Sequence, residues 1–140
     1  MGKVVCLEQV FNMDINKMFD LWTKPELIVK WMSPDPEHFP PPPAQLNPKV
    51  GGKYRIVMID ASGKHIVGGH FTNFKRPTLL EYTWQWEGST EISNVKVEMR
   101  KVANGTEVIL THEHPEGSKM PDLHKAGWEH CFEVLETLSK

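Results

Sequence analysis

The sequence has few cysteines and no long apolar segment. Two cysteines, Cys6 and Cys131, are too few for a disulfide framework, so a reducing, cytoplasmic setting is expected. No run of about 18 apolar residues occurs, which excludes a membrane-spanning helix. The first six residues lead directly into a strand-like segment and do not resemble a signal peptide. We therefore expect a cytoplasmic protein without a membrane partner.

An excess of positive charge is also missing. The chain has 16 lysines and arginines against 18 aspartates and glutamates, which gives a formal net charge of −2. Domains that bind nucleic acid or anionic membranes concentrate basic residues on the surface that makes the contact. The sequence therefore predicts no nucleic-acid partner.

The composition is that of an ordinary globular domain with many tryptophans. Of the 140 residues, 39% are hydrophobic and 24% are charged. This length accommodates one hydrophobic core, so we expect a single domain over residues 1–140. Each indole N–H needs a hydrogen-bond partner once it is buried. The five tryptophans are Trp22, Trp31, Trp84, Trp86 and Trp128.

Alternating apolar and polar residues predict a six-stranded sheet. The predicted strands are residues 3–12, 53–60, 65–74, 79–86, 91–102 and 106–114. Two short helices separate the first two strands, one with Asp14 as its N-cap and one capped by Thr23 and ending at residues 31–32. Because the later strands are joined by hairpin-length links, the order predicts an antiparallel sheet and an α+β fold.

Residues 120–140 have the apolar periodicity of a long helix. The residues that recur at this spacing are Leu123, Gly127, Trp128, Cys131, Phe132, Leu135 and Leu138. At about 1.5 Å per residue such a helix is roughly 30 Å long, enough to cross a small sheet. A curved sheet that holds one terminal helix often leaves a hollow between the two, and we expect a ligand there.

The period of two in each strand assigns an inward face. The inward residues are Leu80, Tyr82, Trp84 and Trp86, then Val95, Val97 and Met99, then Val108, Leu110 and His112, and, less clearly, Tyr54, Ile56 and Met58. Gly68 and Gly69 are candidates for a β-bulge that would shift this pattern.

Two further features have more than one interpretation. Gly127 in the last helix favours close packing of helix on sheet, with a ligand-facing notch as the alternative. The proline-rich segment 33–49 favours a stiff loop at a pocket rim, with a PxxP-type ligand for a partner domain as the alternative.

Short motifs in a fixed order cover nearly the whole chain. They are Trp-Thr-Lys-Pro-Glu-Leu at 22–27, Trp31, Gly-Gly-Lys-Tyr-Arg at 51–55, the turn at 60–63, Gly-His-Phe at 69–71, Thr-Trp at 83–84, Gly-Thr at 105–106 and Gly-Trp-Glu at 127–129. In this order they resemble the activator-of-heat-shock-protein-ATPase-like (AHSA-type) family of the START-like, or SRPBCC, superfamily. The resemblance implies a helix-grip fold, in which a curved antiparallel sheet wraps around a long C-terminal helix and encloses a deep cavity.

The family name is a weak indication of activity. The co-chaperone that gives the name binds its chaperone through a separate N-terminal domain, and residues 1–140 show no counterpart of that domain. Residues 31–34, Trp-Met-Ser-Pro, also depart from the Trp-Trp-Gly-Pro turn that is more usual in the family. A chaperone-directed interaction module is therefore an alternative expectation.

The sequence contains no motif that establishes catalysis or metal binding. No nucleophile signature or phosphate-binding loop occurs, although His112, Tyr82 or Tyr54 could act as an acid or base in a cyclase- or hydrolase-type enzyme. His112 and His114 share one strand face, and His124 or His130 could add a third metal ligand. Without a second motif, we expect neither a metal nor another cofactor.

The sequence thus favours a non-catalytic protein that binds a small hydrophobic or aromatic molecule between the sheet and the last helix. Aromatic walls with a few polar groups are typical of such sites. The candidate binding residues are Trp31, Tyr54, Met58, Tyr82, Trp84, Val97, Leu110, His112, Leu123, Gly127, Trp128 and Cys131.

Overall fold

The structure is a computed structural model that describes residues 2–139. The strands are β1 (Val4–Phe11), β2 (Gln45–Leu46), β3 (Lys53–Asp60), β4 (Gly63–Lys75), β5 (Leu79–Trp86), β6 (Ser93–Val102) and β7 (Gly105–Glu113). The helices are α1 (Ile15–Thr23), α2 (Pro25–Met32) and α3 (Pro121–Leu138). All strand pairs are antiparallel, in the order β1-β7-β6-β5-β4-β3-β2. The predicted α+β helix-grip architecture is confirmed.

The sheet has one more strand than the six that the sequence predicts. The extra strand, β2, lies in the proline-rich segment, where Gln45 and Leu46 pair with Arg55 and Tyr54 of β3. Prolines cannot donate to a strand ladder, but residues 44–47 contain none. This gap between the prolines leaves two residues with the N–H groups that a short edge strand needs.

The two short helices are present, but the predicted cap of the second is wrong. Asp14 caps α1 as expected, because its carboxylate accepts a 2.9 Å hydrogen bond from the Asn16 N–H. Thr23 instead ends α1, where its hydroxyl donates to the Phe19 carbonyl at 2.8 Å. The N-cap of α2 is Lys24, which has no side-chain hydrogen bond to the helix.

The expected bulge lies further along β4 than the two glycines. Gly68 keeps the regular register, and the irregularity falls between Phe71 and Asn73. A Cβ atom at Gly69 would lie 2.3 Å from the Thr83 carbonyl oxygen, so this position needs a glycine for close backbone approach. The glycines thus mark contact between neighbouring strands.

The inward faces of β5, β6 and β7 are as the alternation predicts. Leu80, Val97 and Leu110 are completely buried beneath the helices. In α3 the buried side chains include Trp128 and Leu135, whereas Leu123 is 66% exposed. The predicted continuation of this helix to Lys140 lies outside the described residues. No helix within residues 2–139 is long and apolar enough to cross a membrane.

Leu110 and Leu123 provide a direct test of which leucine belongs to the core. Leu110→Ala should lower the free energy of unfolding by about 3 kcal/mol, because it leaves a cavity in a fully packed sheet face. Leu123→Ala, the matched control, should change it by less than about 0.5 kcal/mol because the side chain is exposed. Urea denaturation measures both values, and equal losses would contradict this assignment of the core.

Candidate functional site

A pocket of about 300 Å³ lies between α3 and the part of the sheet that is formed by β3, β4 and β5. We call it the helix pocket. It opens to solvent beside the exposed side chains of Leu123 and His130. Its walls are formed by Met32, Pro34, Met58, Asp60, His65, Trp84, Trp86, Leu123, His124, Gly127, Trp128, His130 and Cys131.

Local periodicity explains how each element contributes to this pocket. Leu123, Gly127 and Cys131 follow one another at intervals of four residues, so they lie along one face of α3. Met58 and Asp60 are two residues apart on β3 and therefore point to the same side of the sheet. The pocket is thus bounded by one helix face and one sheet face.

Gly127 does not mediate close packing of α3 on the sheet, and that favoured interpretation is wrong. A Cβ atom added there would have no heavy atom within 4 Å, and Gly127 itself lines the helix pocket. The helix therefore stands away from the sheet at this point, and the missing side chain leaves part of the pocket volume free. The alternative, a notch that faces the pocket, describes the observed geometry.

The predicted binding residues divide into three groups. Six line the helix pocket, namely Met58, Trp84, Leu123, Gly127, Trp128 and Cys131. Tyr54 and Tyr82 border a separate internal void of about 10 Å³. The remaining four are completely buried and line neither space, namely Trp31, Val97, Leu110 and His112. The deep central cavity that the family resemblance implies is therefore mostly filled, and the open space lies nearer to one end of α3.

Sequence reasoning missed the polar part of the pocket wall. Asp60 and His65 lie on the β3–β4 hairpin, and His124 and His130 lie on α3. The helical positions carried a usable signal, since His130 follows Gly127 by three residues and His124 precedes it by three. Asp60 and His65 carried no such signal in the sequence, because only the curvature of the sheet brings them close to α3.

His112 lies behind the pocket wall in a closed hydrogen-bond network. Trp128 donates its indole N–H to His112 Nδ1 at 3.0 Å. An indole nitrogen can only donate, so a neutral His112 carries its proton on Nε2. That N–H donates to Ser93 Oγ at 2.7 Å, and the Ser93 hydroxyl donates to the Trp84 carbonyl at 3.4 Å.

His124 begins a second chain of the same kind. Trp86 donates its indole N–H to His124 Nε2 at 2.9 Å, which places the proton of a neutral His124 on Nδ1. This Nδ1–H donates to His114 Nε2 at 2.7 Å. His114 then donates from Nδ1 to the Lys3 carbonyl at 3.3 Å. The two chains together define one tautomer for each imidazole.

The three imidazoles, which we call the histidine cluster, lie close enough to resemble a metal site. Their candidate ligand nitrogens are within 4.8 Å of one another. The rings are nevertheless stacked, with 9° between the planes of His112 and His124 and 22° between those of His112 and His114. A metal binds imidazole in the ring plane at about 2.0–2.1 Å, so lone pairs in stacked parallel planes do not converge on one ion. This geometry favours a hydrogen-bonded cluster.

Burial holds His112, His124 and the neighbouring Cys131 thiol in their neutral forms. Desolvation, followed by the neighbouring histidines, lowers the pKa of His112 to about 2. Desolvation and His114 lower the pKa of His124 to about 4. Burial raises the pKa of the Cys131 thiol to about 12, which fits a small buried hydrophobe at this position.

One polar group in the pocket wall has no partner within residues 2–139. The Nε1 atom of Trp84 is buried and makes no hydrogen bond, although the indole borders both the helix pocket and a second open hollow of about 420 Å³. Buried donors in native proteins are usually satisfied. The Trp84 N–H is therefore an unsatisfied buried donor that lies behind the pocket surface.

A larger hollow, of about 510 Å³, lies on the opposite face of the sheet. Its outward-pointing side chains include Lys53, Arg55, His70 and Glu87, so charged and polar side chains border this surface trough. The helix pocket is smaller but has mostly apolar walls and includes half of the predicted binding residues, and we treat it as the candidate site.

The histidine cluster makes stability depend on pH. The unfolded chain binds protons near the ordinary histidine pKa of 6.5, whereas folded His124 and His112 resist protonation until about pH 4 and about pH 2. Below pH 6.5 the unfolded state thus binds more protons, so the free energy of unfolding should fall as pH decreases from 7 to 5. Each imidazole contributes up to about 1.4 kcal/mol per pH unit in this window.

Urea denaturation at pH 7, 6 and 5 measures this dependence. His124→Gln should reduce the slope, because one neutral buried imidazole is removed. His70→Gln, at an exposed position outside the cluster, should retain the slope of the unmodified protein. A flat profile between pH 7 and 5 would contradict the neutral histidine cluster.

The stacked rings also predict the response to zinc. Zinc in modest excess should leave the melting temperature unchanged, because a metal that binds no specific native site does not stabilise the fold. Differential scanning fluorimetry provides the measurement. A rise of several degrees that disappears in His112→Ala would show that the cluster does chelate.

Comparison with known proteins identifies the family. The model of the family described as Activator of Hsp90 ATPase homolog 1-like protein matches residues 12–140. A search of curated proteins gave no match.

Solved structures reproduce the fold over nearly the whole chain. An uncharacterized protein from Rhizobium leguminosarum is 20% identical, with a TM-score of 0.85 and coverage of 98% of this chain and 93% of that chain. A protein from Chromobacterium violaceum is 19% identical, with a TM-score of 0.81 and coverage of 97% and 96%. The AHSA1 protein from Silicibacter pomeroyi is 20% identical, with a TM-score of 0.76 and coverage of 96% of both chains.

Similarity at these identities shows a shared fold, and the family model carries the assignment. The match to that model extends over most of the chain and agrees with the ordered motifs in the sequence. The protein therefore belongs to the family of Activator of Hsp90 ATPase homolog 1-like proteins, which have the START-like helix-grip fold.

Proposed function

We propose that this protein binds a small apolar or ring-bearing molecule in the helix pocket. The observation that carries the proposal is a preformed pocket of about 300 Å³ whose walls include three indoles. This volume lies at the lower end of the range for small-molecule sites, about 300–1,000 Å³. We place this binding in the cytoplasm, because the two free cysteines suit a reducing compartment.

The aromatic wall supports a ligand that contains a ring. The indoles of Trp84 and Trp128 lie 5.3 Å apart between centroids and are inclined by 53°, so they form adjoining parts of one wall. A stacked or edge-to-face ring gains about 0.5–1.5 kcal/mol per good contact beyond the burial of its surface.

Binding without catalysis accounts best for the titratable groups nearby. Both ring nitrogens of His112 are already engaged, by Trp128 and Ser93, and the side chain is fully buried. Burial also raises the pKa of Tyr54 and Tyr82, so neither phenol ionises readily. A general acid or base needs a pKa near the working pH and contact with the reacting atom. These three candidates have neither property.

Gly127→Val tests the pocket directly. The valine side chain would enter the open space beside Gly127 and should weaken binding of the neutral dye N-phenyl-1-naphthylamine at least tenfold. The free energy of unfolding should change by less than about 1 kcal/mol, because valine and glycine have similar, low helix propensities and no neighbouring atom is displaced. Dye fluorescence and urea denaturation measure the two effects.

Ala126→Val is the matched control for this experiment. Ala126 is exposed on the same helix and does not line the pocket, so its substitution should leave the dye affinity unchanged. Equal affinity in Gly127→Val and Ala126→Val would place the dye elsewhere. A dye that fails to bind the unmodified protein would contradict the proposed function.

A further inference from the structure

The wall of the helix pocket contains a single carboxylate and no permanent cation. Among residues 2–139, no lysine or arginine lines this space, and its only acidic side chain is Asp60. The other ionisable groups are three histidines and Cys131. Burial keeps His124 and the Cys131 thiol neutral by lowering the first pKa to about 4 and raising the second to about 12. The fixed charge of the wall is therefore negative.

Asp60 is held in place with one oxygen unused. Its Oδ1 atom accepts hydrogen bonds from the Ser62 N–H at 2.9 Å and from the Ser62 hydroxyl at 2.5 Å. His65 Nε2 lies 3.1 Å from the same oxygen. Within residues 2–139, Asp60 Oδ2 has no partner. The hydrogen bonds from Ser62 and His65 lower the pKa of this carboxyl, so it is ionised at neutral pH.

The remainder of the wall tolerates a cation better than an anion. Trp84, Trp86 and Trp128 contribute indoles whose ring faces carry partial negative charge. Such faces attract ammonium groups and repel carboxylates. The sulfur atoms of Met58 and Met32 are polarisable and carry no formal charge. An anionic ligand would therefore meet no lysine or arginine in this pocket and would face the Asp60 carboxylate.

We propose that the ligand of the helix pocket is a hydrophobic amine or quaternary ammonium compound. Its cationic end lies at Asp60 Oδ2, at the hairpin side of the pocket, and its apolar body lies against the three indoles. This inference rests on the proposed function, since it names the chemical class that the same pocket selects. It excludes fatty acids and other hydrophobic carboxylates as preferred ligands.

A competition series of three naphthalene compounds tests the preference. The unmodified protein is loaded with N-phenyl-1-naphthylamine at pH 8.5, where histidine side chains are ordinarily neutral. The competitors are 1-naphthylmethyl-trimethylammonium, its uncharged carbon isostere 1-neopentylnaphthalene, and 1-naphthylacetate. The ammonium compound should displace the dye at a concentration at least tenfold lower than either of the others.

Asp60→Asn identifies the source of that preference. An asparagine Oδ1 still accepts from Ser62, so the hairpin is retained while the charge is lost. The advantage of the ammonium compound over its isostere should fall at least fivefold. Asp14→Asn, which removes an equal charge at a residue outside the pocket and preserves a helix cap, should retain the full advantage.

The outcomes separate this inference from the function on which it rests. A dye that fails to bind the unmodified protein overturns the pocket proposal and this inference with it. A dye that binds but is displaced equally well, or better, by 1-naphthylacetate overturns the cation preference and leaves the pocket proposal standing. An ammonium preference that survives in Asp60→Asn shows that Asp60 is not the group that recognises the cation, which also overturns the inference.

Discussion

The arrangement of helices on the sheet depends on the contacts of Trp128. Its indole stacks on Trp22 of α1, with 5.9 Å between ring centroids, and contacts Trp84 of β5, with 5.3 Å between ring centroids. Its N–H donates a hydrogen bond to His112 of β7. The ring centroids of Trp22 and Trp31 of α2 are in turn 4.4 Å apart. Trp128 and Trp22 together thus connect all three helices with two strands, and each aromatic pair adds about 1 kcal/mol to the burial of its surface.

The histidine cluster is the polar counterpart of these aromatic contacts. Indole N–H groups are donors only, and buried neutral imidazoles supply the acceptors that Trp86 and Trp128 require. A protonated imidazole cannot accept through either nitrogen, so the same hydrogen bonds that orient the indoles also oppose protonation of His112 and His124. The position of Trp86 and Trp128 in the pocket wall is therefore linked to the neutral state of His112 and His124.

The helix pocket exists because the contacts of α3 are unevenly distributed along its length. Phe132 and Leu135 pack on the sheet, with Phe132 forming an edge contact to Phe11 at 5.6 Å. More than one turn earlier, a Cβ atom added at Gly127 would have no heavy atom of another element within 4 Å. The aromatic anchor at Trp128 holds the helix at a distance from the β3–β4 hairpin, and the space between them remains open. The tightly packed part of α3 and its open part thus lie at different positions along the same helix.

The sequence by itself determined the three helices, the six longer strands, their order and the inward faces of β5, β6 and β7, because a period of two or 3.6 is a local property of the chain. It also located six of the thirteen pocket residues, through the periodicity of α3, β3 and β5. Tertiary structure decided that Gly127 faces open space, that Leu110 is buried in the packed core, and that Asp60 lines the same pocket as α3. These distances depend on the curvature of the sheet, including the irregularity between Phe71 and Asn73, and no local pattern of residues specifies how far apart two distant elements lie.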